Sequence, residues 1–234
     1  MSQVAVITGA SSGIGESLSY QLSESGYKVV LVARSTDKLN LISDKIRENG
    51  RECLAVPIDV SKPDEINKLK EEANAFGDVT VVVNNAGIGK FSRIEDITLE
   101  DWNRQMDVNL RASFLMSQVF IPKMKEMKKG SLVFINSVAG KKGYPYSAAY
   151  VSSKYGMRGL ADSFREELRQ DNIKVISIHP GAVNTPFWDK VDHNFPRDKM
   201  LNTKSVAESI LHSISAPGNL TVEEMVIRRV AGNL

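Results

Sequence analysis

Short apolar runs alternate with longer amphipathic stretches along almost the whole chain. Val4-Ala5-Val6-Ile7, Lys28-Val29-Val30-Leu31-Val32 and Cys53-Leu54-Ala55-Val56 read as strands. So do Val79-Thr80-Val81-Val82-Val83, Leu132-Val133-Phe134-Ile135 and Lys174-Val175-Ile176-Ser177-Ile178. These runs are rich in β-branched residues and barely alternate with polar ones, the pattern of strands covered on both faces in a parallel sheet. Between them the pattern predicts helices near 13–25, 37–49, 63–76, 99–128, 148–171 and 203–214, and a last strand around Glu223 to Arg229. Strand and helix in regular alternation predict an α/β fold, a doubly wound parallel sheet of about seven strands with helices on both faces. No linker, repeat or low-complexity segment divides it, so residues 1–234 are expected to form a single domain. The stretch from about 185 to 202 breaks the alternation with prolines and aromatics, and it follows the carboxyl end of a strand. Such folds bind ligands there, so this stretch is expected to be a substrate lid.

Composition changes this picture little. The 234 residues are 42% hydrophobic and 25% charged, and 30 basic against 28 acidic side chains leave a formal charge of +2, too balanced for nucleic-acid binding. Cys53 is the single cysteine, which excludes an intrachain disulfide and a multi-cysteine metal site. His179 has no second ligand at metal spacing, and His193 lies in the lid as a solvated loop residue. No metal is expected. The chain opens Met1-Ser2-Gln3 directly into a strand and holds no run near the roughly 18 apolar residues of a membrane span, so a cytoplasmic protein is expected.

Two local patterns carry chemistry. Tyr150 and Lys154 stand four residues apart and share a helix face. An ammonium beside a phenol favours the phenolate and brings its proton exchange toward neutrality. Ser137 follows the strand that ends at Asn136, and a hydroxyl, a phenol and an amine together suit the polarisation and protonation of a carbonyl. The second pattern is Thr8-Gly9-Ala10-Ser11-Ser12-Gly13-Ile14-Gly15, between the first strand and the first helix. Glycines there permit a tight turn, and the helix start offers unpaired N–H groups to a pyrophosphate.

On these residues the chain resembles the short-chain dehydrogenase/reductase family, in its single-domain, Rossmann-type branch of about 250 residues. That branch carries T-G-x-x-x-G-x-G, matched by Thr8, Gly9, Gly13 and Gly15, and N-N-A-G, matched by Asn84, Asn85, Ala86 and Gly87. Its catalytic set is matched by Asn109, Ser137, Tyr150 and Lys154, and its P-G element by Pro180-Gly181, with Val183 and Thr185 following beside the nicotinamide. The resemblance implies hydride transfer between a nicotinamide cofactor and a carbonyl or carbinol carbon. It implies that Tyr150 donates the proton, that Ser137 binds the substrate oxygen, and that Lys154 favours the phenolate and binds the ribose. Asn109 would help hold a water for proton relay.

Cofactor choice follows from the end of the second strand. Ala33 stands where an acidic residue would accept the ribose 2′-hydroxyl of NAD, while Arg34 and Ser35 suit a 2′-phosphate, so NADP(H) is expected. The remaining cofactor contacts implied are Ser11, Ser12 and Ile14 in the turn, and Asp59 and Val60 beside the adenine.

Val138, Tyr144, Phe187 and Trp188, with Ser137 and Tyr150, form the expected substrate wall, apolar and aromatic enough for a small or medium carbonyl compound. The expected activity is therefore NADPH-dependent carbonyl reduction. The alternatives are a 3-oxoacyl-[acyl-carrier-protein] reductase, with Lys128 and Lys129 near a helix end to meet an acidic carrier, and a non-catalytic NADP-binding redox sensor, a kind of family member that lacks the tyrosine or the lysine kept here. The helices that hold Tyr150 and Asn109 are apolar on more than one side: Ala149, Ser152, Gly156, Leu160 and Phe164 on one, Trp102, Met106, Leu110 and Phe114 on the other. A homodimer or homotetramer through these helices is expected.

Overall fold

The computed structural model describes residues 3–191, 195–217 and 219–232. His193 lies outside the described residues. Each apolar run becomes a strand: β1 Gln3–Thr8, β2 Lys28–Ala33, β3 Cys53–Pro57, β4 Asp78–Asn84, β5 Gly130–Ile135, β6 Ile173–Pro180 and β7 Glu224–Ile227. They form one sheet in the order β3-β2-β1-β4-β5-β6-β7, with every neighbouring pair parallel. The winding reverses between β1 and β4, so the loops leaving their carboxyl ends part to either side and open a crevice.

Alternate strand residues serve opposite layers. Val4 and Val6 pack with Leu69 of α3 (Pro63–Phe76), Phe120 of α5 (Ala112–Met127) and Met157 of α6 (Ala148–Leu168). Ala5 and Ile7 pack with Leu18 of α1 (Gly13–Glu24), Ile42 of α2 (Thr36–Glu48) and Ile210 of α7 (Thr203–Ile214). Burial of each large apolar side chain in these layers contributes about 1.5–3 kcal/mol, which explains strands that read as continuous hydrophobic runs. Helix starts are marked in the sequence: Pro63 opens α3, and the Asn202 carboxamide accepts the Lys204 N–H at 2.8 Å before α7.

The structure departs from the periodicity in one functional place. The helix expected over 99–128 is divided into α4 (Leu99–Gln105), a π-helical segment (Met106–Arg111) and α5. A wide turn of this kind inserts a residue locally, and the apolar pattern read over the whole stretch does not mark where it lies. Asn109 sits in that segment and is completely buried. Among the described residues no helix is long and apolar enough to cross a membrane, and no cluster of metal-ligating side chains occurs.

Candidate active site

Thr8 fastens the two strands at the switch point. Its hydroxyl donates to Val83 O at 3.1 Å and accepts the N–H groups of Asn85 and Ala86 at 2.9 and 3.0 Å. The Asn85 side-chain amide donates back to Thr8 O and Gly9 O at 2.8 and 3.2 Å, so this side chain, expected among the cofactor contacts, is spent on holding the glycine turn. The turn is packed to its backbone: a Cβ on Gly15 would lie 2.4 Å from Gly9 O. Gly13 has φ +62°, and a Cβ there would lie 2.8 Å from the Thr185 methyl carbon, which brings the turn against the Pro180-Gly181 segment. Ser12 begins α1 with its hydroxyl unused in capping, and the helix dipole points its positive end into the crevice. Ser11, Ser12 and Ile14 are partly accessible around it. This cradle fits a pyrophosphate.

At the end of β2, Arg34 is exposed and makes no hydrogen bond among the described residues. Ser35 starts α2 with its hydroxyl also unused in capping. The Asp59 carboxylate accepts the Ser61 N–H and hydroxyl at 3.0 and 2.8 Å. Partial burial would raise its pKa, but those bonds and the charges of Arg34 and Lys62 outweigh it and hold Asp59 below the usual carboxylate range. Val60 is buried in the core beneath.

Across the crevice stand the catalytic candidates. Asn109 grips the backbone of one residue from both sides: its Oδ1 accepts the Ile88 N–H at 2.8 Å and its Nδ2 donates to Ile88 O at 2.9 Å. That fixes Gly87, where a Cβ would lie 3.5 Å from Asn109 Oδ1 and 3.7 Å from Lys154 Nζ. Ser137 follows β5, its hydroxyl accepts the Ala139 N–H at 3.1 Å, and it stands beside the Tyr150 phenol, whose pKa it lowers. Lys154 is buried, with Nζ donating to Ile135 O at 3.0 Å. Loss of solvent drives its pKa down to about 8.

One expectation is corrected here. Tyr150 is not drawn toward neutrality: burial raises its pKa to about 12 against the opposing bond with Ser137. The Lys154 ammonium lies 5.8 Å from the phenol ring centroid and faces a backbone carbonyl, so it provides no direct bond to the phenolate. Tyr150 is a neutral phenol here, with a proton to give.

Phe187 and Trp188 meet the site in a 3₁₀ turn (Pro186–Lys190), and Phe187 lies 5.7 Å from the Tyr150 ring centroid. Tyr144 stands apart: it lines a cavity of about 420 Å³ with Tyr146, Ser92 and Val151, whose walls include neither Tyr150 nor Phe187. Val138 is buried after Ser137. The bridge between Val183 and Leu201 and the Leu201 N–H donating to Ala182 O at 2.9 Å tie the two ends of the 185–202 excursion together.

Two participants escaped the sequence reading. Phe91 packs on Tyr150 with ring centroids 5.6 Å apart, from a loop with no periodicity to reveal it. His179 is fully buried behind Ser137, its Nδ1 3.0 Å from Ser137 O and its Nε2 3.0 Å from Ser177 Oγ. A carbonyl only accepts, so Nδ1 carries the proton and Nε2 accepts from the serine hydroxyl. Its place before Pro180 was the only sign of it in the sequence.

Comparison with known proteins gives this geometry a context. Residues 3–195 match the family model described as short chain dehydrogenase. Sepiapterin reductase of Chlorobaculum tepidum is 30% identical over 242 residues, covering 100% of this chain and 99% of that protein. An alcohol dehydrogenase of the archaeon Thermococcus sibiricus, solved with 5-hydroxy-NADP, superimposes with a TM-score of 0.90 at 33% identity over 98% of this chain and 97% of that one. A variant of actinorhodin polyketide ketoreductase, solved with NADPH, gives a TM-score of 0.89 at 28% identity over 97% and 95%.

Proposed function

Because the chain belongs to the short-chain dehydrogenase family, we propose that it is an NADPH-dependent oxidoreductase that reduces a carbonyl to an alcohol, reversibly, in the cytoplasm. The observation that carries this reading is the neutral, half-buried Tyr150 phenol beside Ser137 at the crevice where the glycine turn offers its pyrophosphate cradle. Arg34 and Ser35 would hold the 2′-phosphate, a pairing that selects NADPH over NADH, and the two solved relatives named above carry 5-hydroxy-NADP and NADPH. Bound there, the nicotinamide supplies the hydride that reaches the carbonyl carbon. Ser137 donates a hydrogen bond to the substrate oxygen and steadies the developing charge. Tyr150 gives its proton to the forming alkoxide. Lys154 binds the ribose hydroxyls and, with the cofactor in place, lowers the cost of the phenolate left behind. Asn109 positions Gly87 against Lys154 and so fixes the inner end of the proton path. Residues 185–202 act as the lid that excludes water.

The test is Tyr150→Phe. NADPH binding and the folded state should persist while turnover falls at least about a hundredfold. Unchanged turnover overturns the assignment. The substrate is to be found by following NADPH oxidation across diketones, 3-oxo esters, 3-oxoacyl thioesters, pterins and aldehydes.

A second reading, reduction of 3-oxoacyl groups on an acyl carrier protein, draws on the likeness to the polyketide ketoreductase and on exposed Lys129. Lys128 contributes less to it, because its ammonium is paired with Asp171. The same family frame assigns a homodimer or homotetramer. The helix faces expected to meet a partner are partly used within the chain: Ala149 is buried, and a Cβ on Gly156 would lie 2.7 Å from Leu110 Cδ2. On these helices Leu99 of α4, Tyr155 of α6 and Phe114 of α5 stay 74%, 43% and 37% exposed, and assembly through α4, α5 and α6 covers them. A monomeric sedimentation mass at micromolar concentration refutes this.

A further inference from the structure

The rings of Phe91, Tyr150 and Phe187 close a triangle, with centroid separations of 5.6, 5.7 and 6.1 Å and interplanar angles of 62°, 52° and 74°. The tip of Phe187 rests on bare backbone: a Cβ on Gly89 would lie 2.4 Å from Phe187 Cζ and 3.0 Å from Phe91 Cζ. Trp188 backs Phe187 at 5.3 Å and is itself anchored by its indole N–H, which donates to Val183 O at 2.9 Å. Neighbouring charges are committed elsewhere. Arg197 pairs with Asp189 at 3.0 Å and donates to Thr185 O at 2.8 Å, and Lys90 pairs with Asp101 at 2.6 Å.

A carbonyl oxygen bound by Ser137 and Tyr150 brings its substituent against the Tyr150 ring, where Phe187 now lies. Among the described residues that place is ring-walled, floored by a residue without a side chain, and poor in hydrogen-bond partners. A flat π-system entering it recovers the edge-to-face contacts that Phe187 gives up, whereas a polyhydroxylated substituent would lose its hydrogen bonds to water without replacement. We propose that Phe91 is the specificity element of this site, with Phe187 filling the seat until substrate enters, and that it selects carbonyl compounds bearing an aromatic or conjugated planar group directly on the carbonyl carbon, seated against Tyr150, Phe91 and Gly89 in the place the Phe187 ring occupies. This rests on the reductase reading above.

The experiment compares acetophenone with cyclohexyl methyl ketone, which differ in the planarity of one ring. Conjugation makes the aryl ketone intrinsically less reactive, so the quantity read is the change in the ratio of their kcat/KM values on substitution. Phe91→Leu should lower the aryl-to-cyclohexyl ratio about fivefold, from the worth of one aromatic pair. Gly89→Ala, whose methyl group fills the floor of the seat, should lower it in the same direction. Thermal melts and NADPH fluorescence confirm that each variant is folded and binds cofactor. A ratio unchanged in the folded variants overturns the proposal. Ligand binding separates its failure from that of the reductase reading. Saturation-transfer NMR on the wild-type enzyme with NADP⁺ should show preferential binding of acetophenone, reduced in the variants, even where neither ketone is turned over. Equal binding of the two ketones overturns the ring-walled seat, whereas absence of turnover with preferential binding overturns only the reductase reading.

Discussion

Replacement of Lys154 by methionine should make the protein more stable at neutral pH while abolishing its activity. The Lys154 ammonium is buried against Met157 Sδ at 3.9 Å and Ile135 O at 3.0 Å, and desolvation lowers its pKa from 10.5 to about 8. At about 1.4 kcal/mol for each tenfold change in proton affinity, this descent costs the folded state about 3 kcal/mol at pH 7. Methionine fills much the same volume in a hole already lined by a thioether, but it leaves the Ile135 carbonyl without its donor, a loss of about 1–2 kcal/mol. The net gain of about 1–2 kcal/mol corresponds to a rise in Tm of about 4 °C for a chain of this size. The pH dependence has a definite sign. Below pH 8 the lysine is charged in both the folded and the unfolded chain, and the full cost is present. Between 8 and 10.5 the unfolded chain holds more protons than the folded one, so wild-type stability rises with pH relative to the variant. The difference in Tm should therefore shrink across that window, pass through zero and reverse above it, where the wild-type amine still donates to Ile135 O and methionine does not. Calorimetry of both proteins at pH 7, 9 and 10.5, without cofactor, measures it. A variant melting at or below wild type at pH 7, or a difference that does not shrink, refutes the reasoning.

Three further outcomes follow from the geometry. Arg34→Glu should cut the NADPH-to-NADH ratio of kcat/KM about ten- to a hundredfold, the worth of a charge-assisted bond to phosphate, and an unchanged ratio in steady-state kinetics would place the 2′-phosphate elsewhere. Gly15→Ala puts a methyl group 2.4 Å from Gly9 O and 2.5 Å from Asn85 Nδ2. Thermal denaturation should show a loss of about 1–3 kcal/mol, with NADPH affinity falling as the turn is forced open, and wild-type affinity would contradict the packing described. His179→Leu removes the donor to Ser137 O, so kcat should fall while the NADPH dissociation constant stays constant, and a change confined to cofactor binding would show that His179 does not position Ser137.

The order of the elements is legible in the chain because the sheet is parallel and covered on both faces. Every strand except β7 is then a contiguous apolar run, and short-range pattern suffices to find it. The glycine turn is equally legible, since Gly13 at φ +62° and Gly15 against Gly9 O are backbone demands that only one residue type meets. Tyr150 and Lys154 are visible as a pair because helix geometry fixes their spacing.

What the chain alone does not show is what surrounds those groups. Spacing brings an ammonium near a phenol, and the sequence reading accordingly lowers the tyrosine's pKa. Burial decides otherwise, raising Tyr150 and lowering Lys154, because desolvation depends on every side chain packed around the pair. Asn109 is buried within a π-helical segment whose position the apolar pattern does not mark. His179 reaches Ser137 from a neighbouring strand, and Phe91 reaches Tyr150 from a loop 59 residues before it. The sequence by itself determined the fold, the turn and the spacing of the candidate reacting groups, since local geometry and binary pattern are properties of neighbours along the chain. Protonation states, the residue behind the serine and the ring-walled seat over the tyrosine were decided by tertiary structure, since they depend on contacts between residues distant in the chain.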